Sequence, residues 1–189
     1  MKYSNDFKTA FGVTMRFEVG PSFNENDPAV QRGLIDTKAN KRKVGYVNHP
    51  QDPGGETKFG IAQKFNKNVS VKDLTLAEAE EIYHEKYWTL TNCSRLPANL
   101  NILYFDAIVN HGTKRATKFL QASVGATADG AFGPMTLAAC ERANPQAAAV
   151  KYLNEREDFY HRLVAKRPNM GVFINGWLNR VNGLRNQFN

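Results

Sequence analysis

Apolar residues recur at helical spacing over most of the chain, with one interruption near the front. In the N-terminal segment, Phe7 and Phe11 lie on one side of a helix that we expect from about Asn5 to Phe17, ending at or near Glu18. Residues 19–44 break this spacing. They include 32-RGLIDTKANKRK-43, in which five Lys and Arg residues accompany one Asp. We therefore expect an exposed basic excursion of the chain there.

A small β-hairpin is predicted directly after this excursion. Tyr46 and Val47, and then Phe59 and Ile61, are short β-prone pieces. The stretch 52-DPGG-55 between them is composed of turn formers. The pattern favours two short strands joined across this stretch.

The remainder of the chain is predicted to be helical, and several of its helices carry local start signals. Thr75 and Glu78 form a capping box, in which each side chain bonds the backbone of the other residue. Six helices are expected: from Thr75 to Trp88, from about Leu100 to Asn110, from about Lys114 to Ser123, one that begins at Gly133-Pro134, one that begins at Asn144-Pro145, and one from Phe173 to Phe188. In the helix that begins at Asn144-Pro145, the residues expected on the buried side are Val150, Leu153, Tyr160, Leu163 and Val164. The predicted fold class is mainly α (α+β), with one small hairpin.

Composition limits the kinds of protein this chain can be. At 189 residues and 42% hydrophobic, it can bury one sizeable core, as one domain or as two packed lobes. The formal net charge of +7 favours an anionic partner such as a nucleic acid, a membrane surface or an acidic polymer, although many basic proteins have none. Its basic residues are not interleaved with aromatic ones as in RNA-binding strands, nor gathered on one recognition helix, so we expect no nucleic-acid partner.

Two cysteines, Cys93 and Cys140, are too few for a disulfide framework in a chain of this length. We expect both to be free, buried thiols. The first 17 residues interrupt their apolar positions with Asn, Asp, Lys and Arg, so they do not resemble a signal peptide. No apolar run is long enough to cross a bilayer.

The histidines do not form a recognisable metal motif. His49, His84, His111 and His161 lack the spacing of a zinc-binding helix, so no metal or other cofactor is expected. His111, between Asn110 and Gly112, is interpreted as a helix-end residue.

Acidic residues near the hairpin suggest glycoside chemistry. Cleavage of a glycosidic bond needs one carboxyl group that stays protonated and a second one that stays ionised. Glu18, at a helix end beside Phe17, is placed to be shielded from water, which favours a protonated carboxyl group. Asp52, in a glycine-rich turn, would stay solvated, and Thr57 could hold a water molecule. These residue types also occur in ordinary turns and helix ends, so by themselves they leave a structural role open.

The order of these parts gives a more specific indication. The segments 18-EVG-20, 45-GYVN-48 and 52-DPGGETKFGI-61 resemble the E-G-G-Y and D-P-G-G-x-T-x-x-G-I signature of glycoside hydrolase family 108, the phage-type endolysin N-acetylmuramidases. The resemblance continues through 82-IYHEKYW-88, 105-FDAIVNHG-112, 156-REDFYHRL-163 and 176-GWLNRV-181. The segment 129-DGAFGPMT-136 is similar to the core of the peptidoglycan-binding segment associated with that family.

The chain departs from this signature at one place. In the family pattern the Glu directly precedes Gly-Gly-Tyr, whereas here residues 21–44 intervene and Val19 replaces the first glycine. Loop insertions cost little free energy, so we expect the insert to project as a surface loop. Glu25 and Glu56 are the alternative acids nearby, but only Glu18 has the helix-end position.

The resemblance implies a lysozyme-like fold and a set of site residues. Glu18 would be the general acid, Asp52 the second carboxylate, and Thr57 the hydroxyl that positions water or substrate. Tyr46, Asn48 and Trp88 would contact the sugar, or they would serve core packing and turn capping. Residues 1–96 would form the catalytic lobe and residues 97–189 a helical peptidoglycan-binding-like lobe, packed as one compact unit. Whether the mechanism is inverting or retaining stays open.

The function implied is hydrolysis of the β-1,4 bond between N-acetylmuramic acid and N-acetylglucosamine in peptidoglycan, for phage-induced lysis of the host. The enzyme would act as a monomer, attracted to anionic envelope polymers or lipids. It would stay in the host cytoplasm until a separate pore released it to the wall. The alternatives are a lytic transglycosylase, which needs no water-positioning Asp and Thr, and a non-catalytic wall-binding protein.

Overall fold

The computed structural model describes residues 2–49 and 55–188. The chain divides into two compact units, Met1–Lys86 and Tyr87–Asn189. The sequence predicts a catalytic lobe over residues 1–96 and a peptidoglycan-binding-like lobe over residues 97–189. This division by function stays a prediction. Within the described residues there are nine α-helices and one two-stranded antiparallel sheet. This confirms the prediction of a mainly helical chain with a small hairpin near its N-terminal end.

The first unit is built around helix α1, Asn5–Glu18, whose limits agree with the sequence pattern. The hydroxyl group of Ser4 caps this helix by accepting a hydrogen bond from the Phe7 backbone N–H in its first turn. Phe7 and Phe11 are fully buried, as their spacing predicts. Helix α1 therefore carries its C-terminal residue, Glu18, out of a packed core.

The excursion over residues 19–44 is more ordered than its polar sequence indicates. It contains two short helices, α2 (Pro28–Gln31) and α3 (Lys38–Lys43), capped by the side chains of Asp27 and Thr37. Val30, within α2, is completely buried. The excursion is thus anchored to the unit, and its exposed residues include the basic side chains of Arg32, Lys38, Lys41 and Arg42.

The hairpin is shorter than expected and lies slightly later in the chain. Its strands are β1 (Thr57–Lys58) and β2 (Ile61–Ala62), paired antiparallel with Lys58 opposite Ile61. A single bridge joins Val47 to Thr57 on the other side of β1. The expected pairing of Val47 with the later segment therefore exists, but the tight turn is made by Phe59 and Gly60.

Helix α4 (Leu76–Tyr83) completes the first unit, after short 3₁₀ segments at Gln63–Phe65 and Val71–Asp73. The capping box predicted for Thr75 and Glu78 is present with both of its hydrogen bonds. From His84 to Thr89 the chain continues as a π-helix. The ring of Tyr83 packs edge-on against Phe11 of α1, with ring centroids 5.5 Å apart.

Five helices form the second unit, after a 3₁₀ segment at Cys93–Arg95. They are α5 (Leu100–His111), α6 (Thr113–Ser123), α7 (Pro134–Arg142), α8 (Pro145–Lys166) and, following a 3₁₀ segment at Pro168–Phe173, α9 (Ile174–Arg185). Their limits agree closely with the predicted ones because proline, asparagine and glycine at the boundaries are local signals. Cys93 and Cys140 are free and buried, as expected.

Helix α8 corrects one detail of the sequence pattern. Val150 was predicted to be buried but is 48% exposed, whereas Ala149, Tyr152 and Leu153 face inward. Ala148 and Ala149 are each 2% exposed, so small residues occupy part of the buried face that the pattern of large apolar residues had assigned to Val150. None of the helices in residues 2–49 and 55–188 is long and apolar enough to cross a membrane.

A buried ion cluster that the sequence did not predict joins α5, α8 and α9. The Asp106 carboxylate accepts hydrogen bonds from Arg156 and Arg180, each at 2.6 Å. Asp106 and Arg156 are fully buried, and the Arg180 side chain is 11% exposed. Burial by itself raises the pKa of Asp106, but the two guanidinium groups outweigh it and lower that pKa below its ordinary value.

Candidate active site

Glu18 occupies the last position of α1, where the helix meets the hairpin. Its side chain is half-buried. The hairpin turn lies directly against it: a Cβ atom built on Gly60 would be 3.2 Å from Glu18 Cβ and 3.3 Å from Glu18 Oε2. Because Gly60 lacks a side chain, the carboxylate can lie beside the backbone of the turn.

The turn that contacts Glu18 has an unusual backbone. Phe59 and Gly60 both have positive φ, at 51° and 73°, as the central residues of a type I′ turn require. This conformation is unfavourable for a bulky residue, so it must be held by its surroundings. Tyr83, whose side chain is only 2% exposed, stabilises this turn. Its hydroxyl group donates a hydrogen bond to the Phe59 carbonyl oxygen at 3.0 Å.

The excursion returns to the end of α1. A Cβ atom built on Gly45 would lie 3.3 Å from the Cα atom of Val19, the residue after Glu18. Gly45 has φ of +59°, which also favours glycine there. The two ends of the insert therefore meet, and Glu18 and the Gly45-Tyr46 segment are neighbours in space despite the residues between them.

Thr57 and Lys58 of β1 face opposite sides of the small sheet. Thr57 is half-buried and exchanges two backbone hydrogen bonds with Val47, at 2.8 and 2.9 Å. Lys58 is fully buried, and its ammonium group donates to the Lys72 carbonyl oxygen at 2.7 Å. Burial lowers the pKa of Lys58. This lysine ties the strand that carries Thr57 to the 3₁₀ segment Val71–Asp73.

Tyr46 and Asn48 flank the hairpin on the side of the bridge residue Val47. The Tyr46 hydroxyl group donates to Glu56 Oε2 at 2.7 Å, and this hydrogen bond raises the pKa of Tyr46. A side-chain hydrogen bond with Asn48 acts in the opposite direction. Asn48 is exposed and Tyr46 half-buried, so both present polar atoms near the surface. Glu56 is thus engaged in a hydrogen bond with Tyr46.

The remaining predicted or alternative residues are Asp52, Trp88 and Glu25. Asp52 lies outside the described residues. Trp88 is only 3% exposed and packs edge-on against Phe105, with ring centroids 5.8 Å apart. A ring buried to this extent serves core packing, so we omit Trp88 from the proposed sugar contacts. Glu25 is exposed, and its Oε2 lies 3.8 Å from where a Cβ atom on Gly12 would be, away from the end of α1.

Within the described part of the chain, the site offers acid chemistry and no metal centre. No three His, Cys, Asp or Glu side chains there are arranged to hold a metal ion. What the site provides is one carboxylate at a helix end, the hydroxyl of a strand threonine and a tyrosine–glutamate pair. Such a set suits proton transfer to a leaving oxygen.

Comparisons with known proteins identify the family. Residues 37–112 match the model of glycosyl hydrolase 108, and residues 115–182 match a predicted peptidoglycan domain. No curated protein matches the chain. Among solved structures, Brucella abortus SagA is 33% identical in sequence, with a TM-score of 0.62 over 75% of this chain and 84% of that one. The chain belongs to the glycosyl hydrolase 108 family.

This glycosyl hydrolase 108 protein is therefore a lysozyme-type glycoside hydrolase that acts on peptidoglycan. The family match covers Tyr46, Asn48 and the whole hairpin, and it begins after Glu18. Sequence reasoning had singled out Glu18 and Thr57 but had given no role to Gly60 or Tyr83. Gly60 lies within the signature segment 52-DPGGETKFGI-61, whereas nothing in the sequence distinguishes Tyr83 from the other apolar residues on the same helix face.

Proposed function

We propose that this enzyme hydrolyses the β-1,4 bond between N-acetylmuramic acid and N-acetylglucosamine, with Glu18 as its general acid. The observation that carries the proposal is the position of the Glu18 carboxylate at the end of α1, beside the backbone of Gly60. A general acid must be fixed in place and partly shielded from water. A half-buried carboxyl group held between a helix end and a hairpin turn meets both requirements.

Asp52 and Thr57 complete the proposed catalytic set. Asp52 would remain ionised and stabilise the developing positive charge of the sugar or activate water. Thr57 would orient that water or the substrate from β1. The backbone pairing of Val47 with Thr57 brings together the two sides of the stretch that contains Asp52, which supports a common site. A carboxyl separation of roughly 6.5–9.5 Å would imply inversion, and one of about 5–5.5 Å retention.

Tyr46 and Asn48 are proposed to bind the sugar. Both lie in the segment that follows the excursion, and Tyr46 directly follows Gly45, the residue that contacts Val19. The Tyr46 hydroxyl group is already polarised by Glu56 at 2.7 Å. An aromatic ring with a fixed polar tip, beside an exposed amide, is well suited to a sugar face and its hydroxyl groups.

Mass spectrometry of the products released from purified peptidoglycan tests the reaction. We expect muropeptides that end in reducing N-acetylmuramic acid. Products with 1,6-anhydro ends would instead show a lytic transglycosylase. Absence of any product, with the protein still pelleting with the wall, would indicate a wall-binding protein and contradict the proposal.

Replacement of Glu18 tests the assignment of the acid. Glu18→Gln keeps the size and polarity of the side chain but removes the proton, and we expect activity to fall by at least about a hundred-fold. Glu25→Gln is the matched control, since it makes the same change at an exposed acid in the same unit. Both variants should unfold at the wild-type urea midpoint. Persistent lysis by Glu18→Gln would contradict the assignment.

A role in phage-induced lysis is proposed on the family resemblance, with the enzyme acting as a monomer and reaching the wall through a separately made pore. Host cells that produce the enzyme alone should continue to grow, and those that also produce a pore-forming protein should lyse. Lysis without the pore would contradict this route. We also propose that the exposed cations Lys38, Lys41 and Arg42 of α3 attract anionic envelope polymers.

A further inference from the structure

The second unit contains a small cavity that is lined entirely by nitrogen-bearing side chains. Four residues line it, His111, Lys114, Arg115 and Lys118, and its volume is about 270 Å³. Lys114, Arg115 and Lys118 belong to the first two turns of α6. The helix contains no Asp or Glu of its own, so the three positive charges are not balanced along it. None of these residues has a part in the chemistry proposed above.

The three side chains each contact a neighbouring group, although Lys114 and Arg115 are exposed. A Cβ atom on Gly130 would lie 2.8 Å from Lys114 Cγ and 3.2 Å from Lys118 Cε, so both lysine stems rest on the backbone of that glycine. Gly130 has φ of +84°, and the turn that contains it is fixed by Gln121, which accepts from the Gly130 N–H at 2.8 Å. Arg115 lies over the ring of Phe159, 4.5 Å from its centroid.

No carboxylate neutralises these cations at close range. Within the described part of the chain, none of Lys114, Arg115 and Lys118 has an acidic oxygen within 4.0 Å. Hydrogen bonds from the Ala131 N–H and Gln121 Nε2, and then the charge of Lys118, lower the pKa of Asp129, so this ionised carboxylate offsets part of the positive charge from beyond 4.0 Å. Positive groups held close together without a directly paired counter-ion repel one another, and an incoming anion reduces this repulsion.

The fourth wall of the cavity is a histidine that stays neutral. Arg156 Nε donates to His111 Nε2 at 3.1 Å, so this nitrogen carries no proton. Burial, followed by the positive charge of Arg156, lowers the pKa of His111 to about 3. The ring therefore adds a polar edge without further charge.

We propose that this cavity binds a free carboxylate of the peptidoglycan stem peptide, so that the helical unit recognises the peptide part of the substrate. The inference rests on the proposed function, since it takes peptidoglycan as the substrate. The sugar backbone carries few charges, whereas an uncrosslinked stem peptide ends in a carboxylate and has others along it. A carboxylate has two oxygens that can accept from a lysine and an arginine together.

Binding to insoluble peptidoglycan tests the proposal without requiring catalysis. All chains would carry Glu18→Gln, and the fraction that pellets after a short incubation on ice would be measured. The triple variant Lys114→Gln, Arg115→Gln, Lys118→Gln removes the charges but keeps similar side-chain lengths. The control is Lys151→Gln, Arg162→Gln, Lys166→Gln, which changes the net charge equally at exposed positions of α8.

We expect the triple variant to bind intact peptidoglycan about ten-fold more weakly than its parent, and the control to bind within about two-fold of it. An amidase removes the peptides but leaves a lactyl carboxylate on each muramic acid; once these carboxylates are chemically amidated, the parent and the triple variant should bind alike. Equal binding of the triple variant and the control to intact peptidoglycan would overturn the proposal. So would a difference that persists without peptides but disappears when acid treatment removes phosphodiester polymers, because the ligand would then be a phosphate.

This test is separable from the assignment of Glu18. If Glu18→Gln remains active, the general acid is misassigned, but the comparison on ice still reports binding. If the triple variant binds normally and Glu18→Gln is inactive, the cavity proposal fails and the catalytic one stands. Thermal unfolding followed by circular dichroism must show that the triple variant and the control unfold at the same temperature.

Discussion

Glu18 Oε2 lies 3.3 Å from the point where a Cβ atom on Gly60 would be, so the proposed catalytic carboxylate and the hairpin turn touch with no side chain between them. The same point is 2.7 Å from the hydroxyl oxygen of Tyr83. The turn, the helix end and the tyrosine thus meet at one place. The position of the carboxylate depends on that turn staying where it is.

Gly60→Ala should impair both stability and activity. The new methyl group would clash with Tyr83 Oη and press on Glu18, and the backbone φ of +73° is unfavourable for alanine. We expect a loss of about 1–3 kcal/mol in the free energy of unfolding. We also expect kcat on peptidoglycan to fall by about ten-fold or more, since a small displacement of an acid group is costly. Urea unfolding and turbidity assays would measure these effects.

Gly125→Ala is the matched control for this substitution. Gly125 has φ of +72°, but nothing lies within 4 Å of its Cβ position. It therefore reproduces the backbone penalty without the contacts at Glu18. If both variants lose stability equally and keep full activity, the contact between Gly60 and Glu18 has no catalytic importance.

Tyr83→Phe should partly rescue Gly60→Ala. Alone, it removes the hydrogen bond to the Phe59 carbonyl, which we expect to cost about 1 kcal/mol. In the double variant, however, the atom that the new methyl group meets at 2.7 Å is gone. The two losses should then be less than additive by at least about 0.5 kcal/mol in a double-mutant cycle of urea unfolding. Strict additivity would mean that the hydroxyl group does not restrict the turn.

Protonation of His111 should destabilise the protein at acid pH. Its pKa is lowered from 6.5 to about 3 in the folded state, so the unfolded chain binds the proton more readily between these values. The free energy of unfolding should therefore fall as pH drops from 6.5 towards 3, by up to ~1.4 kcal/mol per pH unit from this group. Urea unfolding across this range measures the slope.

His111→Gln should flatten that slope, because glutamine does not titrate and can still accept from Arg156. The control is His161→Gln, which makes the same change at an exposed histidine of α8, outside the buried cluster. Asp106 contributes in a lower range, since its folded pKa is lowered from 3.8. Its stabilisation is present above about pH 4 and is lost as pH falls further. An unchanged slope in His111→Gln would assign the acid sensitivity to another group.

Asp106→Asn should be among the most damaging single changes in the second unit. It would leave Arg156 and Arg180 without their shared carboxylate, and removal of one partner from a buried ion pair costs about 3–5 kcal/mol. Thermal unfolding followed by circular dichroism would measure the loss. Asp158→Asn, at an exposed position of α8, provides the control and should change stability little. A wild-type melting temperature for Asp106→Asn would show that the cluster is not needed for stability.

Local signals along the chain set where most helices begin and end. The capping box of Thr75 and Glu78, the Asn144 cap and the prolines that open α7 and α8 act within about one helical turn. Such signals are local, so they can be read without knowledge of the rest of the chain. The sequence also indicated Glu18 as the candidate acid, through its place at the end of a predictable helix.

Which distant residues meet depends on tertiary packing. The contact of Gly60 with Glu18, the return of Gly45 to Val19 and the two arginines on Asp106 each join positions far apart in the chain. The burial of Trp88 against Phe105 is of the same kind. These contacts depend on how the faces of whole elements pack, and apolar periodicity gives the direction of a face without naming its partner. For that reason the candidate acid could be named from the sequence, whereas the turn that contacts it could not.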